Sequence, residues 1–169
     1  AICRANTKLM GTLLLTIYFN IFVYPYVSIV PVIGSDILHL DAAQIGILAS
    51  MDGLGSLLGA MLVGIILKQA QFQRLYVACV VAGHVTLFLF ALSTNYVLSL
   101  VLLLLVGFFS TGYLTINRML VGLQTERGMY GRVMAIYGMT WSLMPVSLLP
   151  FGVLVDIFGV SATVAASGL

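Results

Sequence analysis

Between Ile47 and Leu67 the chain reads ILASMDGLGSLLGAMLVGIIL, a stretch whose one charged residue is Asp52. A carboxylate near the centre of a bilayer costs about 2.5–3.5 kcal/mol on insertion scales. Such a group faces a cavity, finds a partner or takes up a proton. Low dielectric favours the neutral acid and a nearby cation favours the anion. On a helix Asp52 shares a face with Ser56 and Gly59, a thin polar stripe able to border water. Proton coupling, cation recognition and a structural hydrogen bond to a neighbouring helix are its open roles. His84, in VVAGHVTLFLF, is a second ionisable group inside an apolar run. Its imidazole is a candidate proton relay, with hydrogen-bonded packing as the alternative.

Neutral polar residues recur at helical spacing. Thr16, Asn20 and Tyr24 lie four apart, with Ser28 continuing the line, so they keep roughly one face of a helix. A cavity wall and interhelical hydrogen bonds both fit them. Tyr137 and Trp141 lie four apart, followed by Met144 and Pro145. Gly107, Ser110, Thr111 and Leu114 form another face, with Tyr113 and Asn117 on a neighbouring stripe. Aromatics, methionine and neutral polars suit greasy ligands rather than sugars or phosphates; packing or interfacial anchoring is the alternative. No nucleophile lies at recognisable spacing from a histidine, and neither HExxH nor a glycine loop with lysine is present. No enzyme, cofactor or metal site is expected. Cys3 and Cys79 have no metal-ligand spacing and read as unpaired thiols.

The elements that carry these groups follow from composition. Hydrophobic residues make up 62% of the 169, charged residues 7%, and mean hydropathy is +1.17. A soluble domain carries about a quarter charged residues, so the outer surface faces lipid. The formal net charge of +2 gives no basic arm, and no nucleic-acid partner is expected. With roughly 20 apolar residues needed per span, hydrophobic runs place spans at about 9–33, 43–67, 75–93, 96–117 and 133–155, with a sixth from 161 to 169 cut short. One all-α helical bundle over 1–169 results. The chain begins at Ala1 and the last run stops early, so a fragment of a longer membrane protein is expected.

Arg4 and Lys8 precede the first span, Lys68 and Arg74 follow the second, and Arg118, Arg127 and Arg132 follow the fourth. If the spans alternate, all seven basic residues share one side, opposite Asp36, Asp41 and Asp156. The positive-inside rule then makes the N-terminus cytoplasmic. The second span carries Gly55 and Gly59 in a GxxxG pair, with Ala60 and Gly64 repeating the small-residue spacing that lets helices approach closely in lipid. Pro25, Pro31, Pro145 and Pro150 favour kinks.

The stretch NRMLVGLQTERGMYGRVMAIYGM carries Gln124 and then Gly131, Arg132, Val133 and Met134. With Pro31 at the end of the first span and Ile45 to Ser50 opening the second, the chain resembles the C-terminal half of a major facilitator superfamily transporter, most of all the proton-antiporting drug and siderophore exporters. The loop GIILKQAQFQR keeps Gly64 and Arg74 of the superfamily's signature but has Lys68 in place of an aspartate. The resemblance implies a twelve-helix protein of two halves, with substrate held between them near the midplane and alternating access by rocking. The first, second, fourth and fifth spans would border the cavity; the third, with His84, and the sixth would be peripheral. On that footing Asp52 and His84 are the proton-coupling candidates. Thr16, Asn20, Tyr24, Tyr113, Asn117, Tyr137 and Trp141 are the cavity candidates, and Gly131, Arg132 and Arg118 belong to the cytoplasmic gate or loop. The expected function is proton-coupled efflux of small hydrophobic compounds across a plasma (inner) membrane. The implied partners are substrate, protons, the lipid bilayer and the N-terminal six-helix half. An importer or facilitator with a structural Asp52, and an oligomeric channel-like protein joined through its GxxxG face, are the rival readings.

Overall fold

A computed structural model describes residues 7–18, 20, 26–66, 72–125 and 127–142. Tyr24, Pro25, Lys68, Met144, Pro145 and the expected sixth span lie outside the described residues. The described elements are helices, with no strand among them. We label them α1 (Thr7–Tyr18), α2 (Tyr26–Val32, running on as one π turn, Ile33–Ile37), α3 (Ala42–Ile66), α4 (Phe72–Leu92), α5 (Tyr96–Leu123) and α6 (Tyr130–Trp141), the last preceded by a 3-10 turn, Arg127–Met129.

Three helices are long and apolar enough to cross a membrane: Ala42–Ile65 within α3, Arg74–Leu92 within α4, and the whole of α5. At 1.5 Å per residue the 25 residues of α3 reach about 37 Å, more than the roughly 30 Å of bilayer hydrocarbon. The starts of α3 and α5 are both capped by short polar side chains. Asp41 Oδ1 accepts from the Gln44 amide at 2.7 Å while Gln44 Oε1 accepts from the Asp41 amide at 3.1 Å. This reciprocal pair satisfies two backbone donors that the first turn of α3 leaves over. Asn95 does the same for α5, accepting from the Val97 and Leu98 amides.

The fourth span runs six residues further than hydropathy alone places it. Residues 118 to 123 stay helical, and Val121, fully buried, packs with Leu13, Val133 and Tyr137. Arg118 is therefore an exposed helical residue rather than part of the loop. The fifth span likewise starts earlier, at Tyr130, which puts Gly131 and Arg132 in the first turn of α6, both exposed. Asp36, expected in the break after the first span, lies in the π turn that extends α2. Pro31, inside α2, lacks the amide that would bond back along the helix. The turn after it closes with Leu38 N–H donating to the Ile33 carbonyl at 3.1 Å.

α5 is the hub. α3 packs along one side of it and α4 along another, while α1 and α6 meet its second half. Apolar burial against other apolar chains gives little drive in lipid, so close van der Waals contact must hold the helices. The sequence supplies it through glycine. A Cβ at Gly55 would overlap the Leu104 carbonyl, one at Gly59 the Phe108 carbonyl, and one at Gly107 the Asp52 carbonyl. The GxxxG pair is thus used inside the chain. The core on either side of α5 holds Leu48, Leu87, Phe90, Leu103, Val106 and Ile116. Ile65 and Val97, 78% and 67% exposed, point away from it, as lipid-facing residues do.

Candidate functional site

Asp52 sits on the face of α3 that meets α5. Its backbone carbonyl and carboxylate both crowd the position where a residue larger than glycine would place Cβ at 107. Only glycine there lets the two helices come this close. The Tyr26 hydroxyl, from the start of α2, donates to Asp52 Oδ1 at 2.9 Å. One turn on, the Ser56 hydroxyl lies 3.5 Å from the Gly107 carbonyl. Among the described residues no lysine or arginine pairs with Asp52. Beside the carboxylate is a half-open cavity of about 60 Å³, lined by Tyr26, Val27, Val30, Pro31, Ala49, Asp52 and Leu103. That volume admits a few water molecules but falls well short of the roughly 300–1,000 Å³ of a drug-sized ligand site. The arrangement offers a membrane-embedded carboxylate, one hydroxyl donor and access for water.

Most of the neutral polar residues gather elsewhere, where α1 and α6 cross the second half of α5. Asn117, fully buried, donates through Nδ2 to Thr16 Oγ1 at 2.7 Å and approaches the Tyr113 hydroxyl at 3.4 Å. Thr16 in turn donates to the Thr12 carbonyl at 2.8 Å, and Thr12 Oγ1 lies 3.4 Å from Gln124 Oε1. A parallel chain joins Asn20 Nδ2 to Thr140 Oγ1 at 3.3 Å and Thr140 to the Tyr137 carbonyl at 2.6 Å. Tyr76 of α4 leans on Tyr113 with ring centroids 5.3 Å apart. The Thr16 and Asn20 stripe therefore makes interhelical hydrogen bonds, and Tyr113, Asn117 and Tyr137 lie between helices rather than on an open wall. Trp141, half-buried, packs against the cluster of Leu13, Val121, Val133 and Tyr137.

His84 is partly buried on α4. Its Nδ1 lies 2.7 Å from the Val80 carbonyl one turn back. A carbonyl only accepts, so Nδ1 carries a hydrogen there. The ring stacks on Tyr18 of α1 at 6.2 Å. Among the described residues no hydrogen bond or ion pair joins it to Asp52, whose partner is Tyr26. Arg118, Gly131 and Arg132 form no part of either polar group.

Sequence reasoning passed over Tyr26, Tyr76, Thr140 and Gly107's role against Asp52. Tyr26 and Thr140 give no signal of their own, because each matters only through a partner on another helix. Gly107 had one: it falls in an apolar run beside Val106 and Phe108, where glycine is a poor helix former kept for close approach.

An all-helical bundle with lipid-facing apolar flanks and a carboxylate inside its spans defines an integral membrane protein. The family model described as Major Facilitator Superfamily matches residues 9–169, and the chain belongs to that superfamily of secondary transporters. No curated protein and no solved structure matched the chain.

Proposed function

We propose that the chain forms the C-terminal half of a proton-coupled exporter of small, rather hydrophobic compounds, with Asp52 as the group that binds and releases the proton. The observation that carries this reading is Asp52 itself: a carboxylate within a bilayer-spanning helix, held by one tyrosine hydroxyl and bordering a cavity of water size. A group placed so can exchange protons with water when the cavity is wet and be shielded when helices close over it. Tyr26 is the switchable partner, donating to the carboxylate in the state seen here. The drug-type assignment rests on Gln124 and the Gly131 to Met134 stretch.

Half of the substrate site would be supplied by the N-terminal six helices. Support for such a partner comes from the outer face of α3. There Gly46, Ser50, Gly53, Leu57, Ala60 and Gly64 recur at alternating steps of four and three, all exposed, and no neighbour lies within 4 Å of a Cβ built at Gly46, Gly53 or Gly64. With the basic residues on one side, the N-terminus is cytoplasmic and the protein sits in the plasma (inner) membrane.

The test is efflux of a fluorescent hydrophobic dye from cells expressing the full-length parent, wild type against Asp52→Asn at equal membrane expression. Gradient-dependent efflux lost in the variant is the expected result. Gradient-dependent efflux that persists would reduce Asp52 to a structural acceptor for Tyr26. Absence of efflux from both would shift the reading to an importer or facilitator.

A further inference from the structure

Two polar atoms in the α1–α5–α6 junction are buried without a hydrogen-bond partner among the described residues: Asn117 Oδ1 and the Tyr137 hydroxyl. Asn117 is fully buried and Tyr137 is 3% exposed. The orientation of the Asn117 amide is fixed by chemistry. The Thr16 hydroxyl gives its hydrogen to the Thr12 carbonyl at 2.8 Å, so its 2.7 Å contact with Asn117 must be one it accepts. Nδ2 therefore points at Thr16, and Oδ1 points away as an acceptor needing a donor. The same reasoning orders the neighbouring chain, where Thr140 donates to the Tyr137 carbonyl and accepts from Asn20. Both threonine hydrogens are committed, so neither serves Asn117 Oδ1. From α4, Tyr76 leans on Tyr113, and its own hydroxyl is a third buried atom without a hydrogen-bond partner among the described residues.

We propose that this junction is an internal water site, with Asn117 Oδ1, the Tyr137 hydroxyl and the Tyr76 hydroxyl as its walls and the Tyr113 ring beside it. Buried waters sit where about three polar groups lack partners within the protein. Water supplies what the site needs, a donor for Oδ1 and both a donor and an acceptor for a phenol. The site is distinct from the Asp52 cleft. Asn117 lies ten residues along α5 from Gly107, the residue against Asp52, which is about 15 Å at 1.5 Å per residue. Its place gives it a consequence: α1 and α6 are joined to α5 partly through a small mobile ligand, so either helix can shift without stranding a buried polar atom.

Hydroxyl-radical footprinting by X-ray radiolysis tests this on the full-length parent in lipid nanodiscs, since radicals form from ordered water beside the side chains they modify. Tyr113 and Tyr137 are expected to be oxidised several-fold faster than Phe90, an aromatic side chain equally buried in the apolar core. Tyr137→Phe removes one wall without changing shape, and Tyr113 oxidation is expected to fall toward the Phe90 rate. Asn117→Leu should do the same, and the tyrosine variant alone suffices if the asparagine variant does not fold. Oxidation of Tyr113 and Tyr137 at the Phe90 rate in wild type would overturn the water site. So would an unchanged Tyr113 rate in a folded Tyr137→Phe protein. Neither readout depends on transport, so the proposal stands or falls separately from the role of Asp52.

Discussion

Tyr26 gives the Asp52 carboxylate its one hydrogen bond among the described side chains, across 2.9 Å, and hydrogen bonds to charged groups contribute about 1.5–3 kcal/mol each. Removing that hydroxyl tests the coupling reading more finely than removing the acid. Tyr26→Phe keeps the ring, which is almost wholly buried, and deletes only the donor. If the carboxylate cycles its proton, gradient-driven efflux should persist with a displaced pH profile, whereas Asp52→Asn should abolish it. A pH–rate curve for each variant separates the two. Asp52 was legible in the sequence because a charge among apolar residues announces itself. Its partner was not: nothing local in YPYVSIV singles out Tyr26 over Tyr24, and the choice is made by how α2 lies over α3. The neutral polar stripe was legible as a stripe, but its direction was not. Spacing says that Thr16 and Asn20 share a face; only the positions of Asn117 and Thr140 say that the face is an interhelical seam.

Helix α3 carries two small-residue faces, and the packing uses them differently. Gly55 and Gly59 face α5, where an added Cβ would meet backbone that cannot move aside. Gly59→Val should therefore push α3 off α5 and destabilise the bundle by about 1–3 kcal/mol, the usual cost of overpacking. Gly53→Ala, six residues before Gly59 and in open space, should be neutral or slightly stabilising through helix propensity. Thermal unfolding of the full-length protein in detergent, followed at fixed lipid content, distinguishes these outcomes. At the start of α5, Asn95→Ala removes the acceptor for two amides and should cost about 1 kcal/mol by the same measurement. Hydropathy located α3 and α4 to within three residues at each end, because their flanks change character at Asp41, at Arg74 and at Ser93. It ended the fourth span at Arg118, where a charge appears. The helix continues because Val121 still has a core to enter and because an arginine at a helix end can reach out to the interface.

At the scale of the molecule, the question is what the exposed face of α3 meets. The alternation of four and three residues from Gly46 to Gly64 is the spacing of a left-handed helix pair, and small side chains suit a close neighbour better than a disordered lipid tail. The inner glycines are already occupied by α5, so an oligomer built on Gly55 and Gly59 would have to take α3 away from its own core. The outer stripe has no such conflict. Under the proposed two-half organisation, a bulky residue at Gly53 should leave this half folded and disturb only its seating on the other half. Gly53→Leu in the full-length parent is thus expected to unfold close to the wild-type temperature while losing most of its efflux. Gly59→Leu should lose both together. A Gly53→Leu protein that transports normally would show that the stripe faces lipid, and the surface between the halves would then lie on another helix. Measuring stability and efflux on the same preparations lets the two glycine faces of one helix report separately on folding and on assembly.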